Sequence, residues 1–165
     1  MLHGMNYYER WMIRRKHRLF GSLKGEVLEI GAGAGVNLQY LSEDVHWIGL
    51  EPNVFFHPYI LKEASRLNRQ VDVRVGQAEE LNSNDDSLDA VIGTLVLCSV
   101  EELMPVLREI FRVLKPGGRY YFVEHVAAPR GTLLRFLQDL LRPIWQKILQ
   151  GCRPNQETLQ MIKRV

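Results

Sequence analysis

Short apolar runs alternate with helical patterns through the middle of the chain. Five runs predict strands: 27–30, 45–50, 71–75, 88–96 and 119–126. The run 71–75 alternates strictly between apolar and polar residues, which is typical of a half-buried strand near a sheet edge. Apolar residues at helical spacing predict three helices between the strands: 36–41, 56–68 and 101–114.

Strands that alternate with helices favour one fold class. Such chains form parallel sheets with right-handed crossovers, so the pattern predicts a doubly wound α/β fold with a mostly parallel sheet and helices on both faces. We expect one domain over 1–165, with a core at 25–128, an N-terminal helical cap at 1–24 and C-terminal helices at 129–165. The helix of the cap is predicted over 7–20 and the last helix over 152–165.

The segment 131–151 is apolar on nearly every side, and Pro143 is predicted to kink or divide it. Helices of this kind are usually buried, which favours core packing or a lid over an apolar pocket. A third interpretation places the segment on a membrane surface. Its apolar side chains would then be buried, while Arg135, Arg142 and Lys147 would face lipid phosphates.

Composition excludes several classes of protein. The 165 residues suit one domain, and 46% hydrophobic with 24% charged residues excludes a disordered chain or a coiled-coil rod. Two cysteines argue against a disulfide-stapled secreted module. The longest nearly apolar run, 90–100, is shorter than the about 20 residues of a membrane span, and the N-terminus lacks a signal peptide's apolar stretch. We therefore expect a cytoplasmic protein, with peripheral membrane attachment as the alternative.

The net charge of +2 is unevenly spread along the chain. Residues 104–165 carry eleven Lys and Arg against four Asp and Glu. Exposed helices that carry basic residues for solubility explain this block most simply. An acidic membrane surface, a nucleic acid or an anionic ligand is the alternative partner.

The strongest chemical signal is a glycine-rich turn after the first strand. Gly31, Gly33 and Gly35 allow a tight turn and let a ligand approach the backbone. A dinucleotide-binding loop would need its third glycine at position 36, which is Val36 here. Glu29 at the strand end would repel a pyrophosphate but could meet a cationic amine.

Glu51 follows the second strand, twenty residues after Gly31. A carboxylate at this position can accept hydrogen bonds from both hydroxyls of a ribose. Glu29 and Glu51 together predict a ligand in which an adenosine carries an amino acid rather than a phosphate chain. A tight turn beside a solvated glutamate is the simpler interpretation, but the strand context favours a binding site.

With these residues the chain resembles the class I S-adenosylmethionine-dependent methyltransferases, which have a Rossmann-like fold. The segment 29–35 is similar to that family's first motif, and 76–79 is similar to the segment beside adenine. The segments 87–91 and 114–118 match the start of the fourth strand and the turn before the fifth.

The resemblance implies S-adenosylmethionine as the cofactor and S-adenosylhomocysteine as its product. Glu51 would bind the ribose, Ala78 would offer its backbone amide to adenine, and Glu79 would accept from the exocyclic amine. The cofactor-binding residues that the resemblance implies are Glu29, Gly31, Ala32, Gly33, Gly35, Asn37, Glu51, Pro52, Gln77, Ala78, Glu79, Thr94 and Leu95.

Three further segments, 94–100, 121–128 and 151–152, resemble the alkyl thiol methyltransferases, a group with the type 11 methyltransferase domain. This narrower resemblance implies a small, apolar thiol as the methyl acceptor. An O- or C-methyltransferase for a quinone-like or lipid-like acceptor is the alternative, as is a cofactor-binding protein without catalysis. No Asn/Asp-Pro-Pro-Tyr/Phe stretch follows the fourth strand, so the resemblance implies no nucleic-acid substrate.

The acceptor is expected above the carboxyl ends of the first and fourth strands. His125 is the candidate general base there, because an imidazole pKa near 6.5 suits proton removal at neutral pH. A structural hydrogen bond is the simpler role for it. Leu97 and Cys98 are candidate acceptor contacts, although a free cysteine is more often a small buried hydrophobe. Three aromatic residues of the N-terminal helix could close over the site or pack that helix: Tyr7, Tyr8 and Trp11.

Class I methyltransferases usually have seven strands, and this sequence predicts five, with the final strand pair missing. We therefore expect the fifth strand to be a sheet edge. An uncovered edge invites pairing with another chain, which predicts a homodimer through that edge. A monomer in sedimentation would contradict this. No metal site is predicted, and a small-molecule acceptor is the other expected partner.

Overall fold

The computed structural model describes residues 7–148 and 151–165, with side chains from Arg10 onward. Within these ranges the chain forms five α-helices and five strands: α1 (Tyr7–Phe20), β1 (Gly25–Ile30), β2 (Val45–Leu50), α2 (His57–Arg66), β3 (Asp72–Arg74), β4 (Leu88–Thr94), α3 (Leu103–Val113), β5 (Leu114–Val123), α4 (Leu133–Ile148) and α5 (Thr158–Ile162). Two short 3-10 helices, Leu38–Tyr40 and Val54–Phe56, follow β1 and β2.

The five strands form one parallel sheet in the order β3-β2-β1-β4-β5. The register pairs Val27 of β1 with Trp47 of β2 on one side and with Ala90 of β4 on the other. The predicted doubly wound α/β fold is therefore confirmed. The strand order reverses between β1 and β4, and open sheets of this kind bind ligands outside the carboxyl ends of the strands at that point.

The core lies on both faces of the sheet because successive strand residues point to opposite sides. Leu28 and Val91 pack with the buried stripe of α3 on one face. Val27 and Ile92 pack on the other face with side chains from α1 and α2, among them Phe20. Burying a side chain of this size stabilises the fold by roughly 2 kcal/mol. Such packing on both faces holds β1 and β4 in place below the edge where their carboxyl ends lie.

Two predicted elements differ from the structure. The predicted helix 36–41 is wrong, because only the 3-10 turn Leu38–Tyr40 forms there. Asn37, which would begin a longer helix, is buried and gives its side chain to hydrogen bonds with β1 and β4 instead. The strand predicted from 119 begins at Leu114, because an irregular register between Leu88 and Ala90 accommodates the Pro-Gly-Gly turn.

The C-terminal region departs further from the sequence prediction. Pro143 does not divide the apolar helix, since α4 is continuous from Leu133 to Ile148. Core packing of this helix is wrong as well. It buries no residue, and its Leu133 and Ile148 side chains are 75% and 71% exposed. The predicted helix 152–165 shrinks to α5, because residues 151–157 lie against the segment that follows β4.

Two findings bear on partners. β5 is an edge of the sheet that residues 7–148 and 151–165 form, so pairing through this edge stays a prediction. Among the helices in those ranges, none combines the length and the apolar character that crossing a membrane requires. Most of the apolar side chains of α4 are exposed, and the packing of the residues that the structure describes does not show what covers them.

Candidate active site

A cavity of about 660 Å³ opens at the carboxyl ends of β1, β2 and β4. Ten of the residues named from the sequence line it together: Gly31, Gly33, Glu51, Pro52, Gln77, Ala78, Glu79, Thr94, Leu95 and His125. This volume lies within the range of small-molecule and cofactor sites. The cavity therefore lies where the reversal of strand order predicts a ligand.

The glycine turn after β1 forms one wall of the cavity. Gly31 has φ +61°, and a Cβ there would lie 2.6 Å from a methyl of Val96. Gly33 has φ +54° and open space where a Cβ would lie. Both positions favour glycine, because left-handed backbone is costly for other residues. The turn also brings β1 close to the residues after β4.

Glu51 holds the glycine turn as well as facing the cavity. Its two carboxylate oxygens accept the backbone N–H of Gly33 at 2.8 Å and that of Asn53 at 2.9 Å. The side chain is buried, yet it lines the cavity. A carboxylate has about four acceptor positions, so two remain for ligand hydroxyls.

The predicted adenine side of the site also assembles. Pro52 follows β2, and Gln77, Ala78 and Glu79 follow β3, which is the neighbouring strand. Phe56, which the sequence analysis did not single out, lines the same part of the cavity. The sequence predicted Phe56 as the start of the helix 56–68, whereas the structure places it in the 3-10 helix Val54–Phe56, so its position in the cavity wall was not inferred.

Four of the predicted cofactor-binding residues do not line the cavity: Glu29, Ala32, Gly35 and Asn37. Glu29 is 1% exposed, and its carboxylate accepts hydrogen bonds from Asn37 Nδ2 at 2.6 Å and Trp47 Nε1 at 2.9 Å. Asn37 also donates to Thr94 Oγ1 at 3.0 Å and accepts from Lys16 Nζ at 2.7 Å. Glu29 therefore reaches the cavity wall through Asn37 and Thr94 rather than directly.

Burial raises the pKa of Glu29 from 4.5 to about 7, although Asn37, Trp47 and Lys16 favour its charged form. Between these two values the folded chain holds a proton that the unfolded chain has lost, so the free energy of unfolding falls as pH rises through this window. We expect the difference in the free energy of unfolding between the wild-type protein and Glu29→Gln to change by roughly 2–3 kcal/mol between about pH 5 and pH 8. Urea unfolding of both proteins at each pH measures this. Parallel pH profiles would contradict it.

The segment after β4 is held by a carboxylate that the sequence analysis did not assign. Glu124 follows β5 and accepts the backbone N–H groups of Val96, Leu97 and Cys98 at 2.8, 2.9 and 3.2 Å. The preceding residue, Leu95, has φ +58° and lines the cavity. Burial raises the pKa of Glu124, although the three N–H donors favour its charged form. An acidic residue at the end of an apolar strand was the available sequence signal.

His125 and Cys152 line the acceptor end of the cavity, whereas the two predicted acceptor contacts do not. Leu97 and Cys98 are fully buried and do not line the cavity. Cys152 Sγ lies 3.2 Å from both His125 Nδ1 and Cys98 Sγ. Burial and the neighbouring Cys152 thiol raise the pKa of Cys98. The grouping was missed because these residues are 27 and 54 positions apart in the chain.

Of the three N-terminal aromatic residues, only Trp11 can be compared with the prediction. The side chains of Tyr7 and Tyr8 lie outside the described part of the structure. Trp11 does not line the cavity, and the guanidinium of Arg15 lies 5.0 Å from the centre of its ring. The placement of α1 is instead decided by Phe20, which is buried in the core.

Comparisons with known proteins agree with the fold. Residues 28–122 match a family model described as a methyltransferase domain. Human thiol S-methyltransferase TMT1A is 34% identical to this chain, in an alignment that covers 95% of this chain and 69% of TMT1A. Human TMT1B is 36% identical, with 90% and 66% covered. The solved structure of the YcgJ protein from Bacillus subtilis has a TM-score of 0.74 at 24% identity, over 92% of this chain and 62% of that one.

The chain belongs to the class I S-adenosylmethionine-dependent methyltransferases. The family, the Rossmann-like fold and the cofactor that the sequence predicted are therefore confirmed. The chain spans about two thirds of the length of the curated relatives it matches. The solved structure is less than 25% identical, so it supports the fold alone.

Proposed function

We propose that the chain transfers a methyl group from S-adenosylmethionine to a small, apolar thiol. The observation that carries the proposal is the continuous cavity that joins Glu51 and the glycine turn to His125. The names of the two human relatives support the thiol acceptor. Apolar side chains at the acceptor end, Val96, Val100 and Ile148, suit an alkyl group.

The residues of the cavity fit the cofactor. Glu51 keeps two acceptor positions for ribose hydroxyls, and Gly33 leaves open space above the turn. Ala78 and Glu79 would bind adenine, while Thr94 and Leu95 would line the methionine end. The cofactor supplies an activated methyl group on a sulfonium, so the protein mainly positions the acceptor and excludes water.

The acceptor thiol needs to lose one proton. An alkyl thiol is less acidic than a cysteine thiol, whose pKa is near 8.5, so the acceptor is protonated at neutral pH. His125 lines the cavity where an acceptor would lie. His125 would accept this proton, and the thiolate sulfur would form a bond to the methyl carbon. The bond between that carbon and the sulfonium sulfur breaks, and its electron pair stays on the cofactor sulfur. The products are a thioether and S-adenosylhomocysteine.

A turnover assay with S-adenosylmethionine and a small alkyl thiol tests the proposal. We expect a methylated thiol together with an equal amount of S-adenosylhomocysteine. Phenol or quinol turnover without thiol turnover would select an O- or C-methyltransferase instead. Cofactor binding by calorimetry without any turnover across this panel would indicate a binding protein, and the absence of both would overturn the proposal altogether.

Replacing His125 with alanine is expected to lower kcat by roughly 10- to 100-fold near neutral pH, because the thiol loses its base. The dissociation constant for the cofactor should stay within about twofold, since His125 lies at the acceptor end. As the pH approaches the pKa of the acceptor thiol, a growing fraction of the thiol ionises by itself, so the deficit should shrink. Steady-state kinetics and calorimetry over this pH range measure both effects. Equal losses of kcat and cofactor affinity would instead indicate a structural role.

A further inference from the structure

Three metal-ligating side chains converge at the acceptor end of the cavity. Among the described residues, Cys98, His125 and Cys152 offer ligand atoms that all lie within 4.8 Å of one another. The two Sγ atoms are 3.2 Å apart, and His125 Nδ1 lies 3.2 Å from Cys152 Sγ and 3.9 Å from Cys98 Sγ. Two thiols and an imidazole are ligands that zinc prefers in proteins.

The distances suit one tetrahedral ion. Zinc binds sulfur at about 2.3 Å and imidazole nitrogen at about 2.0–2.1 Å, which separates neighbouring ligand atoms by roughly 3.5–3.8 Å. The separations in the structure are 3.2, 3.2 and 3.9 Å, within roughly 0.6 Å of these values, so small side-chain shifts would bring the three atoms onto one ion. A disulfide would require about 2.05 Å, so the two cysteines are separate thiols.

The backbone around these ligands is held from several directions. Cys98 donates its N–H to the Glu124 carboxylate at 3.2 Å and accepts from the N–H of Arg153 at 2.7 Å. Gln156 Nε2 donates to the carbonyl oxygen of Leu97 at 2.7 Å. These bonds tie the segment that carries Cys152 to the segment that carries Cys98. Metal sites depend on such supporting bonds to orient their ligands.

The open side of the three-ligand set faces the cavity. His125 and Cys152 line the cavity, whereas Cys98 lies behind them and is fully buried. Structural zinc sites use four protein ligands, while catalytic sites keep three and leave one position for water or substrate. Two cysteines and one histidine form such a catalytic set.

We propose that Cys98, His125 and Cys152 bind a zinc-class divalent cation whose fourth position takes the acceptor thiol. The identity of the fourth ligand rests on the proposed thiol methyltransferase function, whereas binding of the cation does not. On coordination the thiol releases its proton to solvent and binds as a thiolate. With the cation bound, Nδ1 of His125 is a ligand, and the cation replaces the imidazole as the group that favours the thiolate.

Methyl transfer would then proceed from the coordinated sulfur. That sulfur forms its bond to the methyl carbon while the sulfonium carbon–sulfur bond breaks, and the electron pair remains on the cofactor sulfur. The neutral thioether is a weaker ligand than a thiolate, so it leaves the cation. No electron is gained or lost by the protein in this sequence.

Cobalt(II) substitution of the full 165-residue chain tests the site without any need for activity. The protein is purified under reductant, treated with a chelator and titrated with Co(II). We expect one cobalt per chain, a near-ultraviolet thiolate-to-cobalt band and the visible bands of four-coordinate cobalt. Cys98→Ser, Cys152→Ser and His125→Gln should each weaken binding by about 100-fold or more, because each removes a ligand. His46→Gln is the matched control, since His46 is exposed and pairs with Glu26 away from the cavity.

Addition of a small alkyl thiol to the cobalt protein should shift both sets of bands, and a matched alcohol should not. An unchanged spectrum would overturn the assignment of the fourth position. Absence of the bands in the folded wild-type protein, or equal loss in His46→Gln, would overturn the metal site, as would a chain lighter by two hydrogens that contains a disulfide. Thiol methylation by a metal-free chain would refute this inference while leaving the proposed function intact.

Discussion

Alanine at position 51 is expected to raise the dissociation constant for S-adenosylhomocysteine by about 100-fold. The Glu51 carboxylate holds Gly33 and Asn53 through their N–H groups and keeps two acceptor positions for the ribose. Hydrogen bonds to a charged group contribute about 1.5–3 kcal/mol each, so the loss of two at the lower end of this range, about 3 kcal/mol, corresponds to about this factor. Isothermal titration calorimetry of the wild-type protein and Glu51→Ala measures it.

The matched control for this experiment is Glu80→Ala. Glu80 is exposed, lies next to Glu79 in the chain and does not line the cavity. Its replacement removes the same charge beside a residue that lines the cavity, so it accounts for long-range electrostatic effects. Equal dissociation constants for the wild-type protein and Glu51→Ala would show that the ribose acid is misassigned.

Alanine at position 124 is expected to lower both the stability and the cofactor affinity of the protein. Three backbone N–H groups after β4 would lose their acceptor, which we expect to cost roughly 2–3 kcal/mol in the free energy of unfolding. The midpoint of thermal unfolding should fall by about 5–10 °C for a chain of this size. Cofactor affinity should fall too. Leu95 belongs to the same segment, has φ +58° and lines the cavity, so loosening the segment would displace part of the cavity wall.

Calorimetric unfolding and cofactor titration of the variant give both quantities. Glu124→Gln should lie between the wild-type protein and Glu124→Ala, since an amide retains one carbonyl acceptor. Glu102→Ala serves as the control, because that side chain is exposed and caps no helix through a hydrogen bond. A Glu124→Ala protein with wild-type stability would show that water replaces the carboxylate at no cost.

The sheet was predictable because its signals are local. β2 has the predicted bounds Val45–Leu50, and β3 has the alternation of an edge strand. α3 lies within the predicted helix 101–114, and its Val106 and Ile110 side chains are buried. Phe111 on the same helix is 70% exposed, so the buried face is narrower than the apolar residues of the helix would cover.

The C-terminal helix was harder to predict. Composition alone favours burial of α4, yet its apolar residues are largely exposed. Contacts such as Gln138 Nε2 with the carbonyl oxygens of Val126 and Pro154 attach this helix through a polar side chain. A periodicity argument assumes that apolar residues decide how a helix packs, whereas here polar contacts, among them those of Gln138 and the ion pair of Arg135 with Glu157, attach the helix.

The candidate site divides in the same way. Glycine turns and an acid after a strand have recognisable spacing, so Gly31, Gly33 and Glu51 were inferred without coordinates and line the cavity. The sequence also pointed to Glu29, but it did not predict that this side chain would be buried. Whether a carboxylate faces a ligand or lies 1% exposed beneath the turn depends on neighbours such as Trp47 from another strand.

The sequence by itself determined the fold class and the family, and it pointed to residues that line the cavity, because hydrophobic periodicity and turn chemistry act over a few neighbouring residues. Only the tertiary structure decided that Cys98, His125 and Cys152 meet at the acceptor end of the cavity. It also decided that Glu124 holds the segment after β4, which carries Cys98. These contacts join parts of the chain that are 26 to 54 positions apart. They arise from strand order and from the path of residues 151–157, neither of which leaves a periodic pattern in the chain.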